Sequence, residues 1–144
     1  LFPESAEAAI ARLDSTILDL ILGHNGGPLG LTLEEREKAV LRTIRYMRGQ
    51  ANTITIAEIS KLTKLNPREI KLAVRTLRIN FHLPIGSSKN GSDGGYFLML
   101  TEADRAVWAK DVLDQVRAEL AVLRAGAGQQ ATLELLGQLH MEVK

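Results

Sequence analysis

Asn66-Pro67-Arg68-Glu69 fixes where one helix of this chain must begin. An Asn side chain accepts from the orphan N–H groups of a first turn. Pro at the first helical position has a preset φ and no N–H to lose. Glu three residues after the cap reaches back to the cap's own N–H. From that start, residues 67–79 project onto two faces. Ile70, Ala73, Val74 and Leu77 fall within an arc of about 100°, suited to a core. Arg68, Lys71, Arg75 and Arg78 fall within an arc of about 80° on the opposite side. Four stacked cations repel one another unless a polyanion meets them. Taken alone, this helix reads equally as a solvated face with Glu69 as partial compensation or as a face for DNA phosphate and guanine edges.

The neighbouring segments extend the pattern. Residues 4–22 read as a helix, with Pro3 before it and Ile10, Leu13, Ile17, Leu20 and Ile21 at helical spacing; the breaker cluster Gly23 to Gly30 reads as a linker. Thr32 and Glu35 form a capping box for a helix over 33–48, which Gly49 ends. Thr53-Ile54-Thr55 is β-branched and reads as a small strand, and Thr55 with Glu58 opens a short helix over 56–62. Residues 82–86 and 95–100 read as two strands joined by the polar, Gly-rich stretch Ser87 to Gly94, a hairpin with a flexible tip. Thr101 and Asp104 cap a long helix over 102–125. Gly126-Ala127-Gly128 breaks it, and 130–143 form a last amphipathic helix.

Composition narrows the function class. The 144 residues suit one domain with helical extensions, and 45% apolar with 24% charged residues is ordinary globular usage. No apolar run approaches a membrane span, and no basic-then-apolar leader is legible; a start at Leu1 without Met is consistent with trimming. The absence of Cys excludes disulfides and thiolate chemistry and agrees with a cytoplasmic location. Aromatics at 4% disfavour a base-stacking single-strand platform. The net charge of +1 conceals a division: residues 1–33 carry −3, residues 34–90 carry +7 and residues 91–144 carry −3. A basic middle between acidic ends suggests one polyanion-binding module with flanking segments of other use. His24, His82 and His140 lack metal-ligand spacing. Gly23-His24-Asn25-Gly26-Gly27 lacks the Lys-Ser/Thr of a P-loop, and no nucleophile–base pair is evident. The expectation is a protein that is not an enzyme and holds no cofactor or metal.

The order helix, short strand, helix, four-residue turn, helix, hairpin is that of a winged helix-turn-helix. The expected fold is therefore mainly α with a small β-hairpin, carrying N- and C-terminal helical extensions: 1–31, then the winged module 32–100, then 101–144. Residues 32–125 resemble the winged helix-turn-helix proteins of bacteriophages and prophages. The likeness rests on Leu83-Pro84-Ile85-Gly86-Ser87-Ser88, the Gly-rich tip, Gly95-Tyr96-Phe97-Leu98 and the following Thr101-Glu102-Ala103-Asp104. It implies that the third helix enters the major groove through Arg68, Lys71 and Arg75, and that the wing contacts DNA through Lys89 and Asn90.

Arg78 shares the basic face, and Thr63, Lys64 and Asn66 before it are candidates for positioning the phosphate backbone. For Asn66 a cap is the stronger reading, and for Lys89 a solubilising loop residue is an equal one. Arg42, Arg45 and Arg48 read first as a solvated face. Leu113, Val116, Leu120 and Leu123 follow three-four spacing on the long helix and suggest self-association as a homodimer, against the alternative that both termini fold back on one monomer. The expected function is sequence-specific binding of double-stranded DNA, as a transcriptional regulator of a phage-like element. The alternatives are a protein-interaction module that binds host machinery, or a small DNA-packaging subunit.

Overall fold

The computed structural model describes residues 5–23, 32–88 and 94–143, with side chains described through Leu139. The chain divides into two compact units, Leu1–Ala106 and Val107–Lys144.

The first unit opens with α1 (Ala6–Leu22), whose cap is Ser5: its hydroxyl accepts from Ala8 N at 3.1 Å. Gly23, at φ 75°, ends the helix in the left-handed conformation that a residue without Cβ adopts freely. Ile17, Leu20 and Ile21 of α1 are buried in the same core as the following helices. The N-terminal apolar stripe is therefore used within the monomer, and α1 belongs to the same unit as residues 32–100.

Three helices follow: α2 (Glu35–Ile44), α3 (Ile56–Thr63) and α4 (Pro67–Ile79). The capping box of α2 is not the expected Thr32/Glu35 pair. Glu34 is the cap, and the Glu37 carboxylate accepts from its N–H at 2.9 Å. Leu33 is buried, and the chain stays irregular through 32–34 to deliver it to the core before the helix starts. The boxes of α3 (Thr55 with Glu58) and α4 (Asn66 with Glu69) are as the sequence indicates. Val40, Leu41 and Ile44 of α2, Ile59 of α3, and Ile70, Ala73, Val74 and Leu77 of α4 form the centre of the core.

Strands β1 (Ile85–Ser87) and β2 (Tyr96–Leu98) pair antiparallel, with Ile85 opposite Leu98 and Ser87 opposite Tyr96. Both are shorter than expected. His82 sits at φ 54°, outside strand geometry, and Pro84 lacks an N–H for a ladder. The other edge of β2 is also engaged. Leu98 N donates to Met47 O at 2.6 Å, Gly49 N to Leu98 O at 3.0 Å, and Tyr96 and Ile54 exchange bonds of 2.8 and 3.0 Å. The expected strand 53–55 is thus reduced to one bridge, Ile54 to Tyr96, because a turn closed by Asn52 N to Gly49 O carries the chain away in between.

Helix α5 (Glu102–Ala127) starts with Thr101 accepting from Asp104 N at 3.1 Å. It runs from the end of the first unit through much of the second. In the second unit it ends before Gly128 at φ 88°, and α6 (Gln129–Val143) follows. Thr132 is buried, and its hydroxyl donates to Gly128 O at 2.8 Å, which ties the first turn of α6 to the break.

Candidate functional site

Helix α4 carries the site. Its apolar face is anchored: Ile70 and Leu77 have no exposed surface, and Val74 and Ala73 are almost fully covered. The opposite face must then point outward, and Arg68, Lys71 and Arg75 on it are all exposed. None of the three has an ion-pair partner among the described residues. The one acid in this helix, Glu69, faces another way. One of its carboxylate oxygens lies 3.6 Å from Arg36 of α2, and the other accepts from Asn66 N at 3.3 Å. Glu69 is therefore committed to the cap and to α2 and does not neutralise the basic row. Exposed Leu72 and Ile79 lie on the same side of α4.

Arg78 departs from the expectation that groups it with the other three. Its Nε donates to Ile85 O at 2.8 Å, and its guanidinium lies 5.6 Å from the centre of the Tyr96 ring. Burial lowers its pKa from the usual arginine value, an effect partly offset by Tyr96, and burial likewise raises that of the Tyr96 phenol. The last turn of α4 lies against β1, so the nearest partners of Arg78 are a strand carbonyl and an aromatic face. Arg78 ties α4 to the hairpin. It is not part of the exposed basic row.

The turn between α3 and α4 is built from its own side chains. Thr63 donates to Ile59 O at 2.7 Å and accepts from Leu65 N at 3.3 Å. Ser60 donates to Leu65 O at 2.6 Å, and Asn66 Oδ1 accepts from Glu69 N at 2.9 Å. Thr63 and Asn66 are thus engaged in shaping the turn. Lys64 ends α3 at φ 65°, with its side chain exposed. Lys61, which was not among the candidates, lines the same shallow depression as Lys64 and Ser60. Its three-residue spacing from Lys64 was the available signal.

Other cations are committed elsewhere. Arg48 meets Asp14 of α1 at 2.5 Å, and the Arg45 guanidinium lies 4.9 Å from the Tyr46 ring centre. Lys89 and Asn90 of the hairpin tip lie outside the described residues. The β1–β2 pairing continues one bond past Ser87, where Ser88 N donates to Gly95 O at 2.8 Å. On α5, Leu113 and Val116 are 47% and 44% exposed, and Leu120 and Leu123 are half-buried.

Among the described residues, no His, Asp and Glu side chains gather as a metal site. No helix among them is long and apolar enough to cross a membrane. Comparison with protein-family models, curated proteins and solved structures gave no match.

Proposed function

We propose that this protein binds double-stranded DNA as a winged helix-turn-helix, with α4 as the helix that enters the major groove and the β1–β2 hairpin as the wing. The observation that carries the reading is the row Arg68, Lys71 and Arg75, exposed and without acidic partners among the described residues, on a helix whose other face is locked into the core. Phosphates relieve the mutual repulsion of such a row, and Arg can also bind guanine edges with two parallel hydrogen bonds. Lys61 and Lys64 stand at the end of α3 as additional phosphate contacts. Lys89 and Asn90 would serve at the wing tip. Thr63, Asn66 and Arg78 hold the geometry of turn and hairpin.

Such a protein acts by occupying a site and carries out no chemistry. Its resemblance to phage winged-helix proteins makes transcriptional regulation in a mobile element, inside the cell, the role this reading favours. Self-association through Leu113, Val116, Leu120 and Leu123 would place two α4 helices on neighbouring half-sites. Exposed Leu72 and Ile79 beside the basic row favour a second reading, in which an acidic, partly apolar protein surface takes the place of DNA.

Salt dependence separates the two. Each phosphate contact contributes a slope of about −0.9 in log affinity against log salt, so the three residues of the α4 row alone give roughly −5 for a dimer, and Lys61 and Lys64 make it steeper. Fluorescence anisotropy with mixed genomic duplexes should show such a slope. A flat response, or no binding at low salt, overturns the DNA reading.

A further inference from the structure

Helix α5 carries its apolar side chains outside any core, with no residue buried along its length. Leu113, Val116, Leu120 and Leu123 fall at alternate spacings of three and four, and Ala109 and Ala127 continue the series at either end. In heptad terms Leu113 and Leu120 are a positions, and Val116 and Leu123 are d positions. Helix α6 has exposed apolar side chains of its own, Leu133, Leu135 and Leu139.

The charges beside the stripe specify what covers it. Glu119 falls at g and Arg124 at e, five residues apart and on opposite sides of the seam, so they cannot meet within one helix. Neither has an ion-pair partner among the described residues, whereas Arg117 lies 3.9 Å from Asp114 on its own helix. In a parallel pair, a g residue faces the e residue of the next heptad on the other chain. Glu119 would then meet Arg124 of the partner subunit, and the two-fold axis would repeat the contact. In an antiparallel pair that sets Leu113 against Leu123, g faces g and e faces e, which puts Glu119 opposite its own copy and Arg124 opposite Lys110, two like-charge contacts. Two observations thus point to one occupant: an apolar seam of heptad spacing, and a flanking pair that a second chain running the same way satisfies.

We propose that a second copy of this chain covers the seam, with the two α5 helices parallel and in register. The proposal rests on the self-association included in the functional reading and adds its orientation. A parallel pair has the two-fold symmetry that two half-sites on one duplex match.

The chain has no Cys, so an introduced thiol is the only one present. Light scattering on the intact protein should give twice the chain mass, and the chain mass alone removes the dimer itself. Given a dimer, Leu113→Cys should form a disulfide-linked dimer on mild oxidation, because parallel register places residue 113 opposite its copy. Crosslinking only when Leu113→Cys is mixed with Leu123→Cys keeps the dimer and overturns the orientation. A readout without thiols is available as well. Glu119→Arg should raise the dimer dissociation constant several-fold, and adding Arg124→Glu should restore it. In an antiparallel pair Glu119→Arg exchanges one repulsion for another, so an unchanged constant also overturns the proposal.

Discussion

Gly95→Ala should destabilise the first unit by more than its single methyl group suggests. A Cβ at Gly95 would stand 2.3 Å from Ile54 O, 2.5 Å from Ile54 C and 2.9 Å from Thr55 N. All three are backbone atoms, so no side chain can rotate out of the way. The strand and the segment before α3 must separate, and the paired bonds between Tyr96 and Ile54 are strained or lost. Two such bonds at about 1 kcal/mol each, with about 1–3 kcal/mol for overpacking, give a loss of about 3–5 kcal/mol. With a urea slope of roughly 1.5 kcal/mol per molar, the unfolding midpoint should fall by about 2–3 M. Circular dichroism during urea titration reads it directly. Gly126→Ala is the control: nothing lies within 4 Å of a Cβ there, and in the last turn of α5 Ala should cost no stability. A Gly95→Ala midpoint within about 0.5 M of the parent, a change under about 1 kcal/mol, would refute the close-approach argument.

Two further variants separate fold from binding. Arg78→Ala should lower stability by about 1–3 kcal/mol, because Ile85 O loses its charged donor and the Tyr96 ring its cation. Per folded molecule, its DNA affinity should change far less than that of Arg75→Ala, which should cost about 1–3 kcal/mol of binding if Arg75 makes a two-bond base contact. The reverse ranking in anisotropy titrations would return Arg78 to the interface. Asn66→Ala should cost about 1 kcal/mol in thermal unfolding through the lost cap. Unchanged unfolding with weakened DNA binding would instead make Asn66 a phosphate contact.

Helix α4 was legible to its ends because three start signals and a two-faced projection agreed on residues 67–79. The boxes at Thr55 and Asn66 were legible for the same reason: they are local, and no tertiary contact overrides them. Where tertiary contacts decide, the sequence misled. The cap of α2 moved from Thr32 to Glu34 because Leu33 had to reach the core. Arg78 lies on the same arc as Arg68, Lys71 and Arg75, and a helical projection contains no strand. Only the hairpin packed on the last turn distinguishes it. The need for Gly at 95 was invisible too, since it arises from a backbone 41 residues earlier that pairs with Tyr96. The apolar stripe of α1 resembled that of α5 in sequence, but α1 found a core within its own unit and no residue of α5 is buried.

On the proposed function, the row Arg68, Lys71 and Arg75 grips duplex DNA. The most direct test is capture of fragmented bacterial and prophage DNA at near-physiological salt, followed by sequencing. The parent protein is run beside the triple variant Arg68→Ala, Lys71→Ala, Arg75→Ala. Sharp enrichment around a shared motif is expected with the parent, and its loss in a triple variant that still folds. Enrichment that survives the triple variant, or none with the parent, would contradict it.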